Sequence, residues 1–196
     1  MTSKSPYETA LAAIDAGHSL DPTKTTINGE EVPYELHYAH KCTSYLEKRA
    51  PDAPDHLRLA IRAQHFRRWE IPRASYPMTR VGYHSWRTFL KKRQAELVEA
   101  ICKDAGYAEE TTQRVGALIR KEDLKVDEET QVLEDVACLV FLDDQFGAFE
   151  KEHDEDKIIK ILQKTWGKMT EKGHEFALQI PMGERPKEVI AKALAG

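Results

Sequence analysis

An all-α fold is what this chain predicts, and three observations carry that expectation. Apolar residues recur at helical spacing across most of its 196 residues. The breaks between those stretches hold Gly or Pro, the residues that end helices. No stretch shows the apolar–polar alternation of a strand. Eight or so helices result, in a single compact helical domain over 1–196, with 5–180 as its core and 181–196 as a C-terminal appendage.

Taken in order, residues 5–17 form a first helix, with Ser5 as cap, Pro6 at the first position and Gly17 as its stop. Asp21–Val32 (DPTKTTINGEEV) is a turn-rich loop. Pro33–Arg49 is amphipathic, with Leu36, Ala39, Thr43 and Leu46 on one stripe. Prolines at 51 and 54 break it, and a helix from Asp55 to about Trp69 turns Leu57, Ala60, Ile61 and Gln64 inward. Pro72 and Pro77 bias their predecessors away from helix, so Glu70–Gly82 is irregular. Helices follow over roughly 84–104, closed by Gly106, then over 109–122 and 128–146. The last of these should be the most buried, because Val136–Leu142 is apolar all round. A helix over 156–173 carries Ile158, Ile159, Ile161, Leu162 and Trp166, and a short one spans 186–194.

Composition narrows the class. Hydrophobic residues make up 41% and charged residues 32%, the balance of a soluble globular chain. No apolar run approaches the roughly 20 residues that cross a bilayer, and the N-terminus lacks a signal-peptide core. Cys42, Cys102 and Cys138 are odd in number and widely spaced, as reduced thiols are. The expectation is a cytoplasmic protein with no membrane association. A net charge of −4 excludes a general nucleic-acid coat, which would be basic overall.

Charge is distributed unevenly. Between Arg58 and Arg93 lie ten of the chain's 29 bases but, in Glu70, one of its 33 acids. Most of the ten are Arg, whose planar fork grips phosphate or carboxylate. Phe66, Trp69, Tyr76, Tyr83, Trp86 and Phe89 are interleaved with them. An anionic partner follows, because a fold that holds so much like charge together usually has one. The loop over 69–87 is too aromatic for disorder and reads as a lid presenting Arg73, Arg80 and Arg87, or as a surface loop pinned by its rings.

Three sets of polar residues carry chemistry. Gln64 and His65 are adjacent polar groups on a mostly apolar helix, a costly burial without a task. His37 and His40, three apart and preceded by Glu35, share a helix face, which suits a metal, a relay or plain solvation. Glu134 and Asp135 interrupt the central helix, so at least one must face the interior and pair with a cation or metal. Lys121 is the nearest cation in sequence and Arg68 another. Asp143 and Asp144 are expected to face solvent. No phosphate-binding loop, dinucleotide fingerprint, nucleophile elbow or zinc-protease motif is present.

Three phrases, AQHFRRWEIPR (63–73), YPMTRVGYHSWR (76–87) and QVLEDVACLVFL (131–142), resemble a family of small all-helical intracellular proteins known as a domain of unknown function. The likeness runs from about Ser5 to Ile180. Some members are labelled glutamyl-tRNA synthetase, but this chain has no HIGH or KMSKS-type motif. The helix order is also similar to the HD superfamily of metal-dependent phosphohydrolases. That likeness implies an HD-like fold and a divalent metal held by His40 (or His37), His65 and Asp135, although Phe66 stands where the pattern places the pair's Asp.

The resulting expectation is a phosphate-ester hydrolase acting on a nucleotide or other phosphorylated small molecule. Arg67, Arg68, Arg73, Arg80 and Arg87 would hold the anion, and Trp69 or Tyr76 would stack on a base. His65 would act as general acid or base, oriented by Glu134 or Asp135, with Lys121 beside them. The alternatives are a non-catalytic module binding RNA or nucleotide, and an interaction protein offering its basic face to an acidic partner.

Overall fold

The computed structural model describes residues 4–195, so residues 1–3 and 196 of the expected domain lie outside the described residues. Helix α1 spans Pro6–His18, and its start is a reciprocal cap: Ser5 Oγ accepts from Glu8 N while Glu8 Oε2 accepts from Ser5 N at 2.8 Å. The loop expected over 21–32 instead contains a small antiparallel hairpin, β1 (Lys24–Ile27) and β2 (Glu30–Pro33), with Lys24 opposite Pro33 and Ile27 opposite Glu30. Asn28 and Gly29 at its tip have φ of 52° and 87°, the left-handed pair that a tight two-residue hairpin turn requires. The hairpin aside, the described residues are predominantly helical.

Helices α2 (Tyr34–Arg49) and α3 (Asp55–Arg62) follow. The helix expected to reach Trp69 stops seven residues early, because His65 and Arg67 both take positive φ. Two short 3₁₀ turns, Arg68–Glu70 and Arg73–Ser75, make up most of the irregular stretch. Helix α4 (Arg80–Asp104) then starts one turn earlier than expected, because Thr79 caps it by accepting from Gly82 N at 3.1 Å. Helices α5 (Glu109–Arg120) and α6 (Glu128–Val140) come next, and α6 passes into a π-helical turn at Phe141–Gln145. Beyond it lie α7 (Phe146–Glu152), α8 (Glu155–Trp166), α9 (Glu171–Ala177) and α10 (Glu184–Ala195). The single helix expected over 156–173 is thus two, separated at Gly167–Thr170, where Thr170 caps α9.

Two apolar clusters hold the chain together. The first gathers Ile14, Leu46, Leu59, Ile61, Val98, Leu118, Leu133 and Val140 from α1 to α6. The second gathers Leu139, Leu142, Phe146, Ile158 and Leu162. Val189 and Ala193 of the expected appendage are buried in it too. Helix α6 supplies both clusters, Leu133, Val136 and Val140 to one and Cys138 and Leu139 to the other. That is why its residues from Leu133 to Val140 are buried almost without interruption. Each large apolar side chain so buried contributes about 1.5–3 kcal/mol. Among the described residues no helix is long and apolar enough to cross a membrane.

Candidate anion-binding site

The site begins with a strained piece of backbone. His65 and Arg67 have φ of 64° and 50°, a conformation costing roughly 1–3 kcal/mol at a non-glycine residue unless its surroundings enforce it. Glu35, buried on α2, does the enforcing. Its carboxylate accepts the backbone N–H of Arg67 at 2.9 Å and of Arg68 at 2.7 Å, and faces His18 Nδ1 at 2.9 Å. The fully buried His18 reaches the Arg62 carbonyl through Nε2, also at 2.9 Å. Asp21 in turn accepts from Glu35 N. A polar chain from α1 and the hairpin entry therefore fixes residues 62–68 in place.

This clamp aims the His65 ring. The ring stacks on Tyr38, with centroids 4.5 Å apart and planes 16° apart, and its Nε2 lies 3.0 Å from Arg68 Nη1. Nη1 also lies 3.5 Å from Nδ1; arginine can only donate, so a nitrogen of the neutral ring accepts from it. Burial, reinforced by the charges of Arg68, Arg87 and Lys121, pushes the imidazole well below its usual range. The Arg68 guanidinium lies 4.7 Å above the Trp86 ring, and Trp86 donates its indole N–H to the Ile71 carbonyl. Among the described residues no carboxylate pairs with Arg68.

Beside His65 opens a narrow cleft of about 20 Å³, the room of one or two waters. Helix α4 contributes Arg87, Leu90, Lys91 and Gln94 at spacings of three and four, hence from one face. Gln64 and His65 come from the clamped segment, Ile119 and Lys121 from the end of α5, and Leu133 from α6. Lys121 is itself left-handed, at φ 58°. Three cations line the cleft and no acid does. Of the three, Lys121 is paired with Glu134, which also faces Lys168 at 3.5 Å. Burial alone would raise the Glu134 carboxyl, but these two ammonium groups outweigh it and hold it below the ordinary range. Lys91 is pushed down by burial and then by Lys121 and Arg87. Gln64 and Gln94 each bury an amide Nε2 that has no hydrogen-bond partner in the protein. The cleft is thus rich in donors and short of acceptors.

The other expected site residues fall elsewhere. Asp135 is fully buried, but both its oxygens are taken: Arg49 Nε at 2.9 Å, Thr170 N at 2.8 Å and Thr170 Oγ1 at 2.6 Å. A Cβ on Gly173 would press into this carboxylate, so glycine is required there. The cation for Asp135 is therefore Arg49 rather than Lys121 or Arg68, and neither Asp135 nor Glu134 touches the His65 ring. The expected metal set does not assemble, because Asp135 is committed to Arg49 and Thr170. His40 instead feels Arg62, Asp15, His18 and His37. Among the described residues no three His, Cys, Asp or Glu side chains gather as ligands. Phe66 is a core residue, its ring filling the space above Gly17 and meeting His18 edge-on at 5.2 Å.

The arginines divide likewise. Arg68 and Arg87 converge on His65, while Arg67 pairs with Glu70, which also holds Arg93. Arg73 donates to the carbonyls of Tyr76, Pro77 and Thr79, pinning the loop rather than a ligand. Arg80 is exposed at the start of α4. Tyr76 leans on Phe89, and Trp69 is half-buried with an unpartnered indole N–H, so neither lines the cleft. Asp143 and Asp144 do not face solvent: Lys41 donates to Asp143 at 2.6 Å, while Asp144 holds His37 and the Tyr34 hydroxyl, each at 3.0 Å. Lys91 and Gln94 were not singled out as ligands from sequence, although their spacing of four and seven from Arg87 placed them on its face.

A family model described as a domain of unknown function matches residues 8–190. No curated protein and no solved structure shows a significant match to the chain.

Proposed function

The chain belongs to the DUF4202 family, whose description names no activity, and from the cleft itself we propose that it binds the phosphoryl group of a phosphorylated small molecule. One observation carries the reading: Arg87 and Lys91, which have no carboxylate partner among the described residues, line one cleft with Lys121, and no acid is among its described lining residues. Like charges on one cleft wall repel one another, by an amount that solvent at the mouth keeps modest. A tetrahedral oxyanion, with several acceptor oxygens and up to two charges, relieves that repulsion and pairs with the cations.

Phosphate-ester hydrolysis is the catalytic extension of this reading, and it gives His65 a role. In the empty cleft the ring is neutral. An anion arriving beside it raises its proton affinity, since the charge that opposed protonation is now offset. Protonation turns the accepting nitrogen into a donor, which releases Arg68 from the ring and frees its fork for the anion. The imidazolium is then a general acid for the departing ester oxygen, as a water attacks phosphorus from the opposite side, the ester P–O bond breaks and the water's proton stays on the phosphate released.

Thermal unfolding in sodium phosphate against sodium chloride at matched ionic strength tests the binding. Phosphate at a hundred times its dissociation constant should stabilise by about 2.7 kcal/mol, and Arg87→Met should abolish the difference. Equal midpoints in the two salts for the unsubstituted protein would refute the reading.

A further inference from the structure

Resting on the phosphoryl-binding reading, we infer that the ligand is a mononucleotide, its phosphate in the cleft and its base on the ring of Tyr83. Tyr83 lies one helical turn, about 6 Å of rise, before Arg87 on α4. It therefore shares the face that carries Arg87, Lys91 and Gln94 into the cleft. Its hydroxyl lies within electrostatic reach of the Arg68 guanidinium, which places the side chain on the His65 side of the helix. Yet the residue is 46% exposed, whereas Trp86 beside it is 4% exposed.

The exposed ring is also held still. The Arg73 guanidinium sits 5.9 Å from its centroid, and Arg73 is itself anchored to three loop carbonyls. Trp86 leans on it at 6.0 Å. A rigid, half-open aromatic ring costs little entropy to cover, and a nucleobase is the flat π surface that covers it. Met78, Val81 and Phe89 are exposed along the same stretch. The sequence has no acid between Glu70 and Glu96 to repel a phosphate approaching over this rim. A sugar phosphate would satisfy the cations and leave Tyr83 wet. The apolar lining of Leu90, Ile119 and Leu133 offers a nucleic-acid strand no further charge to track, so the cleft suits a terminal phosphate better than a strand passing through.

Equilibrium binding of inorganic phosphate, ribose 5-phosphate, adenosine 5′-monophosphate and a short single-stranded oligoribonucleotide decides the matter, with Tyr83→Ala and Tyr83→Phe beside the unsubstituted protein. The mononucleotide should bind on the order of tenfold more tightly than ribose 5-phosphate, the worth of one stacked base. Tyr83→Ala should erase that preference without weakening ribose 5-phosphate, and Tyr83→Phe should keep it. Equal affinity for the mononucleotide and ribose 5-phosphate would overturn the inference while leaving the phosphoryl site standing. An oligoribonucleotide far tighter than the mononucleotide would overturn it in favour of a strand-binding surface. Binding of none of the four would overturn the phosphoryl-binding reading as well.

Discussion

Asp135 and His65 anchor two polar centres built on opposite principles. Around Asp135 every oxygen is taken by Arg49 or Thr170, and glycine at 173 lets α9 close over it. Around His65 the cations Arg68, Arg87 and Lys91 have no carboxylate partner among the described residues, and two amide donors lack an acceptor. Both centres cost desolvation. Only the first repays it within the protein, so it reads as scaffold, while the second, on the proposal above, is completed by a bound anion. Closure, rather than the number of charges, separates the two.

The comparison is most easily broken at its scaffold end. Asp135→Ala removes the fully buried carboxylate that Arg49 and Thr170 share and should cost about 3–5 kcal/mol, seen as a large fall in the denaturation midpoint. Arg87→Met in the same assay should move the midpoint by no more than about 0.5 kcal/mol. A loss from Arg87→Met as large as that from Asp135→Ala would make the cleft scaffold too.

Acid titration sharpens the contrast. Folded His65 is held well below the ordinary imidazole value, so as pH falls the unfolded chain takes up its proton first. Its contribution to stability is present above about pH 6.5 and is lost below that value, by up to about 1.4 kcal/mol per pH unit until the folded ring also titrates. His65→Asn, chosen because Asn tolerates the left-handed backbone, should flatten this part of the profile. Denaturation curves between about pH 7.5 and 5.5 with identical slopes for both proteins would remove His65 as the cause. The smallest effect belongs to Lys91→Met. It should change stability by under about 0.5 kcal/mol, toward stabilising, because it deletes a like charge from beside Lys121 and Arg87. A loss above 1 kcal/mol, by roughly the same scale, would mean that Lys91 has a partner in the folded protein.

Helices were legible in the sequence wherever apolar spacing and caps agreed, as at Ser5–Glu8 and along α6. The interior position of Glu134 and Asp135 followed from the apolar run around them. Their partners were harder, because sequence distance says little about spatial distance: Lys121 reaches Glu134, but Asp135 takes Arg49, 86 positions away. The Asn28–Gly29 hairpin was available in the sequence as a turn dipeptide, yet strands of four residues beside it offer too little alternation to register. The clamp at His65 was not legible at all. Its cause is Glu35, on another helix, and a left-handed histidine looks in sequence like one more helical residue. Arg68 and Arg87 were visible as bases within a basic segment. The loop carbonyls that occupy Arg73 and the Glu70 that occupies Arg67 depend on a chain path set by tertiary contacts.

The π-helical turn at Phe141–Gln145 has a consequence for the far end of α6. There the Phe146 N–H reaches back five residues to the Phe141 carbonyl instead of four. One surplus residue in a helix advances everything after it by about 100° of azimuth. Within this widened turn Asp143 meets Lys41, and Asp144 meets His37 and Tyr34. Phe146, the first residue beyond the turn, is buried in the second apolar cluster. A single-residue deletion within this turn would therefore act as a rephasing rather than a shortening, turning α7 against the second apolar cluster while leaving α6 intact.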